Sequence, residues 1–144
     1  MTHRKTYKGA TKGQADKIPD DPPEGSYIWD ASVTSMLGDG NTEAGADVIH
    51  SLEDKILKNY KGPTIQKKLK IVPAMVSDGE VQSSPLFVTL LGNGSNAKGA
   101  QFLKKTIEKI RHHKSMNKGG LPPKIKPIEH YFPRKPKILG GKDA

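Results

Sequence analysis

The side chains that could do chemistry are few in kind. There are five histidines (His3, His50, His112, His113 and His130) and no cysteine. Without cysteine there is no thiolate zinc site, no disulfide framework and no sulfur nucleophile. No His-Glu-x-x-His is present, and no carboxylate stands at metal spacing beside His112 or His113. Neighbours on a helix do not share a face, so His112 and His113 make a poor chelate. Gly92-x-Gly94 lacks the Gly-Lys-Ser/Thr that completes a phosphate-cradling loop. The serines sit in turns without a recognisable base. These absences lead us to expect a protein that is not an enzyme and uses no metal or cofactor.

What the chain has instead is charge in blocks. Its 144 residues carry a net charge of +9. Residues 1–19 hold Arg4, Lys5, Lys8, Lys12 and Lys17 against Asp16 alone. Residues 20–60 hold nine acids and two bases, and residues 61–144 hold seventeen bases and five acids. A basic arm, an acidic middle and a basic remainder suit a protein that binds polyanions and also its own copies. Each lysine near an anionic bilayer contributes about 1 kcal/mol, so a cluster can hold a protein there reversibly. The same lysines would bind nucleic-acid phosphates, with steep salt dependence. No apolar run reaches the length of a membrane span, and no apolar stretch follows the first basic residues as in a secretory signal.

These charges must be positioned by a modest core. Hydrophobic residues are 33% of the chain, beside 15 glycines and 11 prolines, so loops and arms take a large share. Residues 1–26 read as a flexible basic arm ending in Asp20-Asp21-Pro22-Pro23-Glu24, with too little apolar surface to fold. Residues 27–144 read as one α+β domain. Alternation from Tyr27 through Trp29, Ala31 and Val33 predicts a strand to about Leu37. Val48, Ile49, Leu52, Ile56 and Tyr60 recur at helical spacing and predict a helix over 42–60, stopped by Gly62-Pro63 and weakened by Gly45 in its first turn. Residues 65–76 are mixed: Leu69, Ile71 and Val72 suggest a strand, which Pro73 makes an edge strand or a bend. Pro85 to Leu91, the most apolar run, predicts a central strand. Ala100, Leu103, Ile107 and Ile110 predict a second helix over 97–114. Five prolines from Pro122 to Pro136 predict an extended segment docked on the core through Tyr131 and Phe132. No internal repeat is visible. The fold class expected is a small antiparallel sheet with two main helices, a disordered N-terminal arm and an extended Pro-rich C-terminal segment.

In the order of these features the chain resembles the rhabdovirus matrix proteins. The resemblance rests on the Lys-rich arm, the Pro-rich acidic stretch at 20–24 and the aromatic-started segment followed by a helix. It also rests on the tail running from Met116-Asn117-Lys118 through Pro122-Pro123 to Ile128-Glu129-His130-Tyr131-Phe132-Pro133-Arg134-Lys135-Pro136. The family's Pro-Pro-x-Tyr budding motif is not reproduced, because Tyr27 comes too late after Pro22-Pro23. Animal-virus members are also longer at the C-terminus. The resemblance implies an α+β domain that self-associates, binds the inner membrane leaflet and condenses the nucleocapsid. It implies a place in the virion and, in the host, in the cytoplasm and on the inner membrane face.

On this reading Arg4, Lys5, Lys8, Lys12 and Lys17 contact anionic lipid, with Tyr7 and Ile18 as anchors. Lys104, Lys105, Lys109, Arg111 and Lys114 form a second basic face for the nucleocapsid or for a neighbouring copy, and Asp47, Glu53 and Asp54 are the acidic partners in a homo-oligomer. Two alternatives stand beside it. One is a small basic nucleic-acid-binding protein. The other is an adaptor whose Ile128-x-x-Tyr131-Phe132 has the spacing of peptides that dock on sliding clamps, a pattern that packed core segments also produce.

Overall fold

The computed structural model describes residues 24–61, 78–117 and 119–141. The basic arm to residue 23 and the edge strand expected at 65–76 lie outside these residues. The order is a three-residue strand β1 (Tyr27–Trp29), a short helix α1 (Ala31–Leu37), a long helix α2 (Thr42–Asn59), then β2 (Val81–Ser83), α3 (Pro85–Leu91) and α4 (Asn96–Lys114). Two 3-10 turns follow, Ile128–Tyr131 and Lys137–Leu139. Among the described residues the fold is α+β: four helices on a two-stranded antiparallel sheet. No helix among the described residues is long and apolar enough to cross a membrane.

Two expected strands are helices. The strand expected to reach Leu37 ends at Trp29, and α1 takes over. Its buried residues are Val33, Thr34 and Leu37, one side of a short helix. The segment expected to be a central strand is α3, with Phe87, Val88 and Leu91 buried. Its start follows helix chemistry: Pro85 occupies the first turn, and the Ser84 hydroxyl accepts the Phe87 amide at 3.3 Å. Both helices are only seven residues long, so their apolar pattern spans barely two turns.

Contrary to the expectation from sequence, the molecule contains an internal repeat. Residues 27–59 and 81–113 are one β-α-α unit used twice, 54 positions apart, and share Leu-Gly-x-Gly-x-x-x-x-Gly-Ala at 37–46 and 91–100. The backbone bonds of the turns coincide. Gly40 N–H donates to Ser35 O at 2.8 Å and Gly94 N–H to Thr89 O at 2.9 Å. Asp39 and Asn93, at equivalent places, both take the left-handed conformation, with φ of 52° and 56°. Asn41 Oδ1 accepts the Ala44 amide, and Ser95 Oγ accepts the Lys98 amide. The strands pair Tyr27 with Ser83, Ile28 with Gln82 and Trp29 with Val81. Each strand's first residue thus meets the other's last, as a local twofold through Ile28 and Gln82 requires.

Gly45 and Gly99 explain how the helices of each unit pack. A methyl group on Gly45 would run into Thr34 O, and one on Gly99 into Val88 O. Gly45 is therefore the point where α2 crosses α1 in backbone contact, and its role is closeness rather than a weak first turn. The core between the units joins Trp29, Val33, Leu37, Ile49, Leu52 and Ile56 to Phe87, Leu91, Phe102, Leu103 and Ile110.

Candidate functional site

The charged side chains singled out from the chain separate into three groups. Arg4, Lys5, Lys8, Lys12 and Lys17 lie outside the described residues. Lys104 and Lys105 of α4 and Asp47 and Asp54 of α2 are exposed. The others face their own chain. Arg111 Nη2 donates to Asp30 Oδ2 at 3.1 Å and to Ser32 Oγ at 3.2 Å. Lys109 is exposed as a residue, and its Nζ lies 3.5 Å from Phe132 O. The Lys114 side chain is 9% exposed, paired with Asp39 and donating to Pro123 O at 2.7 Å.

Glu53 is not a surface acid, because it is fully buried. Among the described residues neither of its oxygens closes a hydrogen bond of good geometry. Burial holds its carboxyl well above the ordinary range. The nearby Ser83 hydroxyl and Ser84 amide only partly oppose this. Ser83 Oγ itself accepts from Trp29 Nε1 at 2.9 Å.

The repeat sets the exposed charges of α2 and α4 against one another. Over their first three turns α2 and α4 occupy equivalent places with different charge. α2 presents Glu43 and Asp47 where α4 has Ala97 and Gln101, and α4 presents Lys98, Lys104 and Lys105 where α2 has Ala44, His50 and Ser51. The same backbone surface is thus acidic in one unit and basic in the other.

The Pro-rich segment forms a strap across both units. The Ile125 amide donates to Asp39 Oδ1 and the Lys137 amide to Asn93 Oδ1, each at 2.8 Å. Between them Lys55 Nζ reaches Glu129 Oε2 at 2.9 Å. Along the strap the partners run Asp39, Lys55, Lys109 and Asn93: a turn, a helix, then the equivalent helix and the equivalent turn. The chain alone did not single out Asp39 or Asn93 for this role; the recurring Leu-Gly-x-Gly was the signal available. The Lys114 ammonium and the Ile125 amide keep the Asp39 carboxyl below its ordinary range.

The strap is core at its centre. Ile128, Tyr131 and Phe132 are buried. The Phe132 ring meets Phe102 edge-on at 4.8 Å, and Tyr131 Oη lies 2.7 Å from His113 Nδ1. A clamp-docking peptide must offer this apolar-aromatic triplet to a partner, and here the triplet is packed inside. Beside it opens a recess of about 550 Å³ lined by Lys55, Asn59, Glu129, Phe132, Arg134, Lys135 and Leu139. Arg134 is held over the Phe102 ring at 5.3 Å. Among the described residues no cluster of three or more side chains could hold a metal ion. No family model, curated protein or solved structure matches the chain.

Proposed function

We propose that this is a non-enzymatic structural protein that assembles with copies of itself and holds anionic surfaces, in the manner of a viral matrix protein bridging membrane and nucleocapsid. The observation that carries the reading is the reversal of charge between equivalent faces of α2 and α4. A surface of one sign on one unit and of the other sign on its duplicate lets the acidic face of one copy meet the basic face of the next. Such a contact is head-to-tail and need not close, so it builds chains or sheets rather than a fixed dimer. Exposed ion pairs each contribute under about 1 kcal/mol, so assembly gains strength from many copies and from a shared anionic surface. The Lys-rich arm supplies that surface contact, with Arg4, Lys5, Lys8, Lys12 and Lys17 on lipid or ribonucleoprotein.

Charge reversal tests this. An E43K/D47K variant and a K104E/K105E variant should each fail to form the higher oligomers that the parent chain forms in sedimentation at low salt. Mixed, they should associate again. The parent's oligomers should dissolve as salt rises, and the parent should pellet with anionic but not neutral vesicles. A parent chain that is monomeric at every salt concentration and indifferent to vesicles refutes the proposal.

The recess between α2 and the strap favours a second reading, direct binding of nucleic-acid phosphates through Lys55, Arg134 and Lys135. RNA or DNA affinity that falls steeply with salt, together with indifference to lipid, would select it.

A further inference from the structure

The strap is joined to α4 in a way that suits transfer between molecules. Gly119 and Gly120 precede it, both exposed and both at positive φ, 66° and 84°. They form a hinge that takes up backbone angles other residues resist. The strap is anchored far from this hinge. Its amides bond to Asp39 and Asn93, its Glu129 pairs with Lys55, and Tyr131 and Phe132 pack on α4. Every one of these contacts can form equally well with the same groups of a second copy.

A second observation points to an occupant beside the hinge. Among the described residues the large hydrophobic side chains left exposed are Met116, at 50%, and Leu121, at 72%. They stand on either side of the two glycines. In a closed monomer they face solvent. Where two copies trade straps, the two hinges run side by side, and this pair of side chains gains a matching pair to cover it.

We propose that residues 121–141 exchange between two copies of this chain, each strap docking across the turns and helices of its partner, with Met116 and Leu121 buried where the hinges cross. The inference rests on the self-association proposed above and adds a reciprocal link to it: exchange pairs two copies, and the charged faces of α2 and α4 join the pairs head to tail. Exchange, rather than simple release, follows from the burial of Ile128, Tyr131 and Phe132. An empty strap site would expose the core, whereas a traded strap keeps it filled. The hinge alone changes conformation, and the contacts beyond it are conserved.

The Lys55–Glu129 pair reads out which copy a strap belongs to. Isotopically light and heavy full-length chains are unfolded together, refolded at micromolar and at millimolar concentration, and treated with a carbodiimide that joins Lys55 to Glu129. Monomers should carry this link only within one isotope. Dimers of one light and one heavy chain should carry it between the two. Dimers whose link always stays within one isotope overturn the exchange and leave self-association standing, while the absence of any dimer overturns both. Deleting Gly119 and Gly120 should tighten the dimer by at least about tenfold, because a shortened hinge cannot fold back. An M116S/L121S variant should weaken the dimer by about tenfold with the monomer's melting temperature unchanged, since both side chains are exposed there. A dimer insensitive to both changes does not cross at this hinge.

Discussion

Glu53 sits in the core, and among the described residues no cation balances it, which has a consequence in pH. Its carboxyl is held well above the ordinary value of 4.5 by burial, so the folded state holds the proton to higher pH than the unfolded chain does. The contribution is fully present below the ordinary value and is lost as pH rises through the elevated one. Asp39 and Glu129 act the other way. Hydrogen bonds and charge from Lys114 and the Ile125 amide lower the first, and the Lys55 ammonium lowers the second against its own burial, so their contributions are lost on acidification. A Glu53→Gln variant keeps the shape and removes the titration. Its melting temperature should match the parent's near pH 4 and exceed it by several degrees at pH 8. A gap that stays constant across pH would refute the buried-acid account. Reading Glu53 as a surface acid failed for a local reason: Asp54 and Lys55 beside it are exposed, and nothing in that run of charges marks the one position facing inward.

At the scale of elements, what mattered was the length of each apolar pattern. The helices α2 and α4, at 18 and 19 residues, carry stripes long enough to be recognised, and they lie within a residue of where periodicity put them. The helices α1 and α3 are too short for this, and their β-branched and aromatic residues imitate strands. The cues were chemical: Ser84 and Pro85 at a helix start, and Gly38 and Gly92 at its end. The repeat was hidden because the two units share mainly the residues of their turns and close crossings. The surfaces between these differ in charge, and similarity outside Leu-Gly-x-Gly-x-x-x-x-Gly-Ala is thin. The glycines of this pattern give a prediction that opposes intrinsic propensity. Alanine favours helix over glycine by about 1 kcal/mol. Gly45→Ala and Gly99→Ala should nevertheless each lower stability by about 1–3 kcal/mol in denaturant melts, because the methyl forces the crossing helices apart. The two losses should be alike, because the two positions meet the same kind of carbonyl. A stabilising effect at either would show that the close crossing is not required there.

For the whole molecule, the blocks of charge were legible from the order of residues along the chain, and their geometry was not. Blocks of sign along the chain became opposed faces only once α2 and α4 proved to be duplicates. Equally, five prolines announced an extended tail, but the grip of that tail on both units depended on turns 54 residues apart. The grip has a measurable strength. Asp39→Ala and Asn93→Ala should each remove one of the 2.8 Å bonds to the strap and raise amide exchange across residues 121–141, by about fivefold to tenfold for a bond worth roughly 1 kcal/mol. Exchange in α2 and α4 should change much less; equal acceleration in these helices would mean the turns serve the fold as a whole and not the strap. The same tether bears on calorimetry. Two similar β-α-α units could in principle melt one after the other, as independent modules do. Here a single polypeptide ribbon is fastened to both, so loosening either half unfastens the ribbon and strips cover from the other. The duplicated protein should therefore give one endotherm, with van't Hoff and calorimetric enthalpies in agreement.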